Sequence, residues 1–390
     1  MCQGSGGVRR VVRRQYLREE PYALTSARPD PCGGIRQLVS LPRLVKGGAL
    51  MNKVSFGLIG CGTWGHMHAR AYAASPSACL VAVCDQDAAR AAALAAEFGA
   101  SEHGPDWRVL LARPDIQAVG IATPDFAHGE IALAAIHAGK HVLVEKPLAT
   151  TVAECEEILA TQKTKGVKLM VDFHNRWSLP FVNLRRAIAG GHLGSLMMMN
   201  IRLNDTRFVP TRMLSWAARS SPLQFLGSHV VDLIHFLSGA SVKRVYSVSR
   251  SVVLKGMGID TPDFFQSILE LSTGGTAVVE NCWIVNEHAP NVYDFQCEVI
   301  GSKGSAYVNA SHHRMAELYT EKGPELPDVS GAVDLYGKPV GFAIASIQHF
   351  IDCVVNDKPP MVTGEDGLAV ARVLAAAEES ARTGLPVAVA

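Results

Sequence analysis

The sequence predicts an α/β protein with two domains: a doubly wound parallel sheet, then a second α/β domain with a large, mostly antiparallel open sheet. From residue 51 to about residue 173, strand-like and helical segments alternate, which is typical of a parallel sheet with right-handed crossovers. Beyond residue 173, strand-like segments follow one another through short turns such as Thr273-Gly274-Gly275, which favours antiparallel pairing. A chain of 390 residues fits two domains, which we place at residues 51–173 and 174–390.

The composition indicates a globular protein and gives no sign of a nucleic-acid or membrane partner. Hydrophobic residues make up 48% and charged residues 19% of the chain, and the net charge is +1. No apolar run approaches the roughly twenty residues that span a bilayer. The nine cysteines are scattered, which favours a reducing compartment such as the cytoplasm. We expect no metal site, and we interpret His66, His68 and the His312-His313 pair as surface or packing residues.

The first fifty residues differ from the rest of the chain. They are rich in arginine, poor in acidic residues and interrupted by proline and glycine, and they lack the apolar core of a secretory signal. One interpretation is an organelle-targeting segment. The other, which we prefer, is an upstream extension, with Met51 opening the functional protein directly before the first strand. In both cases we expect residues 1–50 to be disordered.

A dinucleotide-binding turn is predicted after the first strand. Gly60, Gly62 and Gly65 have the G-x-G-x-x-G spacing between an apolar run that begins at residue 54 and a helical segment. In a Rossmann domain the first glycine allows the tight turn, the second lets the backbone approach the pyrophosphate, and the third lets the helix pack on the strand. Thr63 and Trp64 open the helix, whose free N–H groups and positive dipole end would face the phosphates.

Asp85 is the predicted ribose-binding residue. It follows the second apolar run, residues 80–84, about twenty residues after the last glycine. Its carboxylate would accept hydrogen bonds from the ribose hydroxyls and repel a 2′-phosphate, and the next residue is Gln86 rather than an arginine. The sequence therefore favours NAD over NADP.

Capping signals and apolar runs predict the remaining elements. Asp87 is the predicted N-cap of a helix that ends near residue 98, and Thr151 with Glu154 forms a capping box for a helix that runs to about residue 165. Other helices are expected at residues 127–138, 181–189 and about 365–382, the last returning to the first domain. Strands are expected at residues 118–122, 141–144, 169–173, 196–203, 242–252, 264–271, 276–285, 292–300 and 305–308.

Polar residues follow two strands of the parallel sheet, at the edge where ligands bind. These residues are Thr123, Pro124 and His128 after one strand and Glu145, Lys146 and Pro147 after another. Together with the glycine turn and Asp85, they closely resemble the glucose–fructose oxidoreductase and inositol dehydrogenase family (Gfo/Idh/MocA). The segments that begin at Gln348 and Thr363 also match this family, so the resemblance covers essentially residues 51–390.

The resemblance implies an NAD-dependent oxidoreductase that transfers a hydride between the nicotinamide and a carbinol carbon of a sugar, polyol or sugar derivative. Lys146 would bridge substrate hydroxyl and cofactor, with a cis bond before Pro147, and Glu145 would pair with Lys146 and the cofactor ribose. The residues that would line the nucleotide are Thr123, Pro124 and His128, although helix-start packing explains His128 nearly as well. Asn175 would touch the nicotinamide and Arg176 the substrate. The second sheet would form a homodimer or homotetramer.

One position departs from the family pattern. The family's second catalytic element is a helix that reads D-x-G-x-H-x-x-D, and the equivalent stretch here runs from Phe225 through His229 to Asp232. A carboxylate at position 225 would face the histidine one turn away and raise its basicity. We expect His229 to act as acid/base without it, with Asp232 either orienting the histidine or facing a neighbouring strand.

The loop before this helix carries the predicted substrate contacts Arg212, Trp216 and Arg219. They suit an anionic sugar, with the indole stacking on the ring, but they equally suit solvent or a subunit interface. Two other functions remain compatible with the residues. One is a redox-neutral enzyme that oxidises, eliminates and re-reduces its substrate on tightly held NAD. The other is a non-catalytic NAD(H)-binding sensor, which Phe225 suggests.

Overall fold

The structure, a computed structural model, describes residues 53–289, 291–311, 318–320, 323–325, 328 and 330–389. The predictions for residues 1–50 and for His312-His313 lie outside these residues. No helix in the described ranges is both long and apolar enough to cross a membrane. The seven cysteines that the structure describes are free thiols.

The first sheet is parallel throughout and has the doubly wound strand order β3-β2-β1-β4-β5-β6. Its strands are β1 (Val54–Ile59), β2 (Ala78–Cys84), β3 (Glu102–Gly104), β4 (Ala118–Ile121), β5 (His141–Val144) and β6 (Leu169–Val171). Its helices are α1 (Thr63–Ala74), α2 (Ala88–Phe98), α3 (Trp107–Leu111), α4 (His128–His137) and α5 (Val152–Lys165). Strands β4 and β6 are fully buried, as expected of a sheet with helices on both faces. The sequence analysis missed β3 and α3.

The predicted helix caps of this sheet are confirmed. The Asp87 carboxylate accepts hydrogen bonds from two N–H groups at the start of α2, and Thr151 and Glu154 form the reciprocal capping box of α5. Gly99 and Gly166 end these helices in the left-handed conformation. These caps fix the residue at which each helix begins, and therefore the length of the loop between that helix and the preceding strand.

The second sheet has the order β12-β11-β7-β10-β9-β8-β17. Its strands are β7 (Leu196–Thr206), β8 (Val242–Arg250), β9 (Phe264–Leu271), β10 (Thr276–Val285), β11 (Tyr293–Gly301), β12 (Ser305–Asn309) and β17 (Val387–Ala388). The pairs are antiparallel except for the central pair β7–β10, which is parallel. The predicted fold class, a parallel sheet followed by a mostly antiparallel one, is confirmed. Two short hairpins complete the strands: β13 (Leu318–Thr320) with β14 (Gly323–Glu325), and β15 (Val333–Leu335) with β16 (Lys338–Val340).

Helices connect and cover the two sheets. They are α6 (Leu179–Ala189), α7 (Ser228–Ser238), α8 (Val253–Gly256), α9 (Phe342–Val355) and α10 (Gly364–Thr383). Helix α10 packs against α5 and β6 of the first sheet and against α7 and β8 of the second, so it joins the two. The sequence analysis missed α8 and α9, and also two π-helical turns before α7, Val209–Met213 and Leu223–Gly227.

The face of the second sheet that α10 does not cover exposes a row of large apolar side chains. Tyr246, Ile268 and Val278 lie opposite one another on the adjacent strands β8, β9 and β10. Their relative exposures are 40%, 49% and 43%. Exposed apolar rows of this kind are typical of contact surfaces.

Candidate active site

The three glycines of the turn after β1 serve different physical needs. Gly60 has φ +97°, and a Cβ there would lie 2.4 Å from the Ala122 carbonyl oxygen. A Cβ at Gly65 would lie 2.1 Å from the Gly60 carbonyl oxygen. Packing within the protein therefore requires a glycine at position 60 and at position 65. A Cβ at Gly62 would meet nothing within 4 Å, so the space in front of Gly62 is open to an external group such as a pyrophosphate.

The carboxylate of Asp85 is held at the end of β2 beside this turn. Its Oδ2 accepts a hydrogen bond from the Cys61 N–H at 2.8 Å, and its Oδ1 accepts one from the Asp87 N–H at 2.9 Å. These bonds fix the carboxylate where a ribose is expected, and its side chain remains 13% exposed. The exposed Arg90 guanidinium lies 3.8 Å from the same carboxylate.

Thr63 and Trp64 open α1 next to the glycine turn, as predicted. Thr63 is exposed, and the Trp64 ring stacks on the His174 ring with centroids 4.7 Å apart. Trp64 thus links the dinucleotide turn to the segment that follows β6.

The strand ends after β4 and β5 are tied together by His128. Its Nδ1 lies 2.7 Å from the Pro147 carbonyl oxygen and its Nε2 lies 2.9 Å from the Thr123 carbonyl oxygen. Both ring nitrogens are therefore occupied by protein groups, which favours the packing interpretation of His128 over cofactor contact. Thr123 has a buried Oγ1 without a hydrogen-bond partner, so its hydroxyl remains available to a ligand. Pro124 is the N-cap residue of the turn that leads to His128.

Lys146 is nearly buried at the end of β5, with 6% of its surface exposed. Its Nζ donates a hydrogen bond to the Phe225 carbonyl oxygen at 2.8 Å and lies 3.9 Å from the centroid of the Phe225 ring. The Lys146–Pro147 bond is cis, as expected. Burial lowers the Lys146 pKa, and the nearby carboxylates of Glu145, Asp125 and Asp205 act in the opposite direction. A charged amine in this position can polarise a substrate hydroxyl.

Glu145 faces the interior of the first sheet, not the place where the ribose was expected. Its Oε1 accepts a hydrogen bond from the His68 Nε2 at 3.0 Å, and its Oε2 is buried without a partner. Burial raises the Glu145 pKa, and the Lys146 charge partly offsets this rise. The prediction that Glu145 binds the cofactor ribose therefore has no support in its orientation, whereas its electrostatic pairing with Lys146 has.

A buried cluster beneath Lys146 consists of Glu145, His68, Tyr72 and Asp172. The His68 Nδ1 lies 3.1 Å from the Tyr72 hydroxyl, and burial lowers the His68 pKa to about 4, which leaves the ring neutral at pH 7. Asp172 binds the Ser346 hydroxyl through Oδ1, while its Oδ2 has no partner. A proton shared between the free oxygens of Asp172 and Glu145 would satisfy both.

His68 in this cluster is fully buried, which agrees with the packing alternative of the sequence analysis and excludes the surface one. Ligand-type atoms of His68, Glu145 and Asp172 lie within 4.8 Å of one another. A usable signal was present, since Glu145 and Asp172 follow the adjacent parallel strands β5 and β6, and the ends of such strands meet at one edge.

His229 lies at the start of α7, four residues after Phe225, whose carbonyl oxygen accepts the Lys146 hydrogen bond. It is 7% exposed, and its ring lies 4.9 Å from the His174 ring. Burial lowers the His229 pKa, and the Lys146 charge lowers it further, so the ring is neutral at pH 7 and has one nitrogen without a hydrogen. Its Nδ1 lies 3.2 Å from the Asn175 side-chain nitrogen. Asn175, predicted to touch the cofactor, therefore orients the histidine.

Asp232 and Arg176 form a buried ion pair with each other. The guanidinium Nε lies 3.0 Å from Oδ2, and Nη2 lies 2.6 Å from Oδ1. The same Nη2 also contacts Asp366 of α10 at 2.9 Å. Asp232 is therefore not placed to orient His229, and Arg176 is engaged by protein carboxylates, which leaves the predicted substrate contact without support. Both residues join α7 and α10 to the segment after β6.

Phe225 lies in a π-helical turn and not in the regular α-helical register that the sequence analysis assumed, and the Lys146 amine lies over its ring. Its ring centroid lies 5.8 Å from that of Trp283 and 6.0 Å from that of Trp216. The side chain at position 225 therefore faces Lys146, and an aromatic ring covers one side of the amine.

The loop that carries the predicted substrate contacts is docked on the first sheet. Arg219 lies over the Phe126 ring at 3.4 Å, and Trp216 meets the edge of the same ring at 6.2 Å. Arg212 pairs with Glu287 at 3.1 Å. Both arginines already have partners within the chain, whereas Trp216 stands beside Phe225 at the site.

The sequence matches two domain models of one protein family. Residues 54–173 match the model described as oxidoreductase family, NAD-binding Rossmann fold, and residues 181–307 match the Gfo/Idh/MocA C-terminal domain. The chain belongs to the Gfo/Idh/MocA family. The resemblance inferred from the motifs is confirmed, as are the oxidoreductase class and the NAD-binding Rossmann fold.

Similar proteins match over most of their length. The chain is 30% identical to inositol 2-dehydrogenase of Rhizobium meliloti, a match that covers 84% of this chain and 96% of that protein. It is 28% identical to scyllo-inositol 2-dehydrogenase (NAD(+)) of Bacillus subtilis, with 86% and 96% covered. The crystal structure of an oxidoreductase domain protein from Kribbella flavida superposes with a TM-score of 0.74 at 27% identity, covering 87% of this chain and all of that one.

Proposed function

We propose that this protein is an NAD-dependent dehydrogenase that oxidises a CH–OH group of a neutral polyol or sugar. The observation that carries the proposal is the pairing of a buried amine, Lys146, with a buried neutral imidazole, His229, at the edge of the sheet that holds the dinucleotide turn. The inositol dehydrogenases among its relatives support the substrate class.

Gly62, the N-terminus of α1, Asp85 and Thr123 would hold the cofactor. The space in front of Gly62 is open to a pyrophosphate, and the Asp85 carboxylate is fixed where it can accept hydrogen bonds from a ribose. The Thr123 hydroxyl has no partner in the protein and can bind the nucleotide. When bound, NAD supplies the acceptor for the two electrons and the hydrogen that leave the carbinol carbon as hydride. The fixed carboxylate of Asp85 favours NAD over NADP because it would repel a 2′-phosphate.

The two catalytic residues divide the work on the substrate hydroxyl. The Lys146 amine would donate a hydrogen bond to the hydroxyl oxygen and stabilise the negative charge that develops there. His229 would accept the hydroxyl proton as the carbonyl forms. For the His229 Nε2 to accept that proton, Nδ1 must carry the ring's own hydrogen, so the Asn175 amide would present its oxygen to Nδ1, an orientation that rotation of the amide by 180° supplies.

A neutral substrate is favoured because the arginines expected to bind an anion are already engaged. Arg212 is paired with Glu287 and Arg219 lies over Phe126. Arg176, which was predicted only to touch the substrate, is paired with Asp232. We further propose that the exposed row of Tyr246, Ile268 and Val278 forms a homo-oligomer interface, and that the enzyme works in the cytoplasm.

The test is NADH formation by the protein from residue 51 onward, with myo-inositol, scyllo-inositol, neutral hexoses and acidic sugars as substrates. Lys146→Ala is expected to lower kcat roughly 10²- to 10⁴-fold on the best substrate, because the hydroxyl loses its positioned donor. Arg212→Ala is the matched control and should retain activity on neutral substrates. NAD binding without Lys146-dependent turnover of any substrate would refute the proposal and favour a sensor.

A further inference from the structure

Phe225 contacts the Lys146 amine through both its backbone and its side chain. The amine donates a hydrogen bond to the Phe225 carbonyl oxygen at 2.8 Å and lies 3.9 Å from the centroid of the ring of the same residue. Lys146 is only 6% exposed, and no carboxylate among the described residues forms an ion pair with its amine. A buried charge must be stabilised by neighbouring groups, and Phe225 supplies two of them.

The two contacts leave the amine able to bind a substrate. A charged lysine side chain has three N–H donors, of which the Phe225 carbonyl accepts one. The ring attracts the positive charge through its electron-rich face, so at least one N–H remains available to a substrate hydroxyl. The carbonyl belongs to the π-helical turn Leu223–Gly227, and such turns occur frequently at functional sites.

The Phe225 ring is held in place by other aromatic rings. Its centroid lies 5.8 Å from that of Trp283, which is fully buried, and 6.0 Å from that of Trp216. Packing of this kind keeps the same ring face toward the amine. The family pattern has an aspartate at position 225, whose carboxylate could compensate the Lys146 charge, whereas the phenylalanine of this chain offers a ring face instead.

We propose that Phe225 is a positioning residue for the catalytic amine: its carbonyl oxygen sets the direction in which Lys146 points, and its ring stabilises the charged form of Lys146 in place of a carboxylate. The inference rests on the proposed dehydrogenase function. A charged Lys146 is the form that donates to the substrate hydroxyl, so the ring extends catalysis toward alkaline pH. The aromatic residue at this position is therefore compatible with turnover and does not by itself indicate a sensor.

Other titratable groups act on the same amine, and they are identical in every variant of position 225. Burial lowers the Lys146 pKa, and four carboxyl groups oppose this effect: Glu145, Asp125, Asp205 and Asp172. Three buried imidazoles have lowered pKa values that the Lys146 charge lowers further, and all are neutral at alkaline pH: His128, His174 and His229. A difference between variants at position 225 therefore reports the contribution of that side chain.

The test compares three substitutions at position 225. Phe225→Leu keeps an apolar side chain but removes the ring face, Phe225→Tyr keeps the ring face, and Phe225→Asp supplies a carboxylate. Phe236→Leu on α7 is the matched control, because its ring lies 5.5 Å from the Arg176 guanidinium and not beside Lys146. NAD affinity and the unfolding temperature check that each variant is folded.

Two quantities are measured from about pH 6 to about pH 11, a range that brackets the usual lysine pKa. One is kcat/KM for the best substrate of the panel. The other is the rate at which acetic anhydride labels Lys146, read by mass spectrometry, which needs no turnover because only the uncharged amine reacts. The pH at which kcat/KM declines and the pH at which labelling begins both report the loss of the Lys146 proton.

We expect Phe225→Leu to move both pH values down by roughly 1 unit, since a desolvated cation–π contact favours the charged amine by about that amount. On the alkaline side kcat/KM should therefore fall roughly tenfold. Phe225→Tyr should restore both pH values, and Phe225→Asp should place them at or above those of the unaltered enzyme. A role in packing alone predicts the opposite order, with aspartate worse than leucine, because a carboxylate packs poorly against two tryptophans. Phe236→Leu should move neither value.

Two results would overturn the inference. One is a Phe225→Leu enzyme whose two pH values stay within roughly 0.3 unit of those of the unaltered enzyme, about a twofold difference in the proton equilibrium. The other is a downward shift in Phe225→Asp as large as that in Phe225→Leu. If Phe225→Leu does not fold, Phe225→Met takes its place.

These results leave the proposed function intact, provided that turnover still depends on Lys146. If the unaltered enzyme oxidises no member of the panel, the proposed function fails. The labelling of Lys146 then decides by itself whether the Phe225 ring stabilises the charged amine, and an unchanged labelling profile in Phe225→Leu would refute it.

Discussion

The two halves of the candidate site are held together by different kinds of structure. The cofactor half depends mainly on backbone geometry, since Gly60 and Gly65 close the turn and main-chain N–H groups fix Asp85. The substrate half depends on buried polar side chains from distant segments, among them the Arg176–Asp232 pair. The cofactor half tolerates few residue types, because its glycines must stand at fixed positions. The substrate half depends on side-chain contacts that other residues can replace, as the phenylalanine at position 225, where the family pattern has an aspartate, illustrates.

Breaking the Arg176–Asp232 ion pair, in the substrate half, should cause the largest change in stability. Asp232→Ala leaves the buried Arg176 charge with Asp366 as its remaining ion-pair partner among the described residues, so we expect the free energy of unfolding to fall by about 3–5 kcal/mol. Equilibrium unfolding in urea measures this change in the free energy of unfolding. Glu379→Ala, which removes an exposed ion pair with Arg382, is the control and should change stability little. An equal small loss in both variants would show that the substrate half does not depend on its buried pair.

Two substitutions in the glycine turn should affect different properties, one the stability of the protein and the other its affinity for NAD. Gly65→Ala would place a methyl group 2.1 Å from the Gly60 carbonyl oxygen, so we expect a loss of about 1–3 kcal/mol in stability. Gly62→Ala meets no protein atom and should unfold like the unaltered protein, but bind NAD at least about tenfold more weakly, a difference of about 1.4 kcal/mol. Thermal unfolding and NAD titration measure the two properties. Normal NAD binding by Gly62→Ala would contradict a pyrophosphate at this position.

Coenzyme preference should change when the ribose-binding carboxylate is removed. Asp85→Ser deletes the acceptor for the ribose hydroxyls and the repulsion toward a 2′-phosphate, while the nearby Arg90 loses a carboxylate neighbour. We expect the preference for NAD over NADP, measured by kcat/KM for each, to fall roughly 10- to 100-fold, the effect of one or two charged hydrogen bonds. Asp87→Ser keeps the N-cap of α2 and should leave the preference unchanged. No change in Asp85→Ser would mean that the carboxylate does not face the ribose.

The smallest effect should appear in the pH dependence of stability. Burial, and then the Glu145 charge, raise the Asp172 pKa, so the folded protein binds a proton that the unfolded chain releases above about pH 4. The free energy of unfolding therefore falls as the pH rises from about 4 toward the raised Asp172 pKa of about 8. Asp172→Asn does not titrate, so its unfolding temperature should fall less between pH 5 and pH 8 than that of the unaltered protein. Asp294→Asn is the control, and a parallel decline in all three proteins would show that Asp172 holds no extra proton.

The sequence by itself determined the elements whose physical needs are local. The glycine spacing, the N-caps at Asp87 and Thr151, and the position of Lys146 at a strand end follow from backbone conformations that few residues can adopt. The parallel sheet followed from the alternation of strands and helices, and the family followed from motifs that lie at its strand ends.

Only the tertiary structure decided which distant side chains meet. It joined Arg176 to Asp232, turned Glu145 toward His68 and placed Asn175 on His229. Periodicity did not reveal the π-helical turn that points Phe225 at Lys146, because one residue of extra winding changes which side chain faces a neighbour. Such contacts depend on packing between segments far apart in the chain, and spacing along one segment carries no record of them.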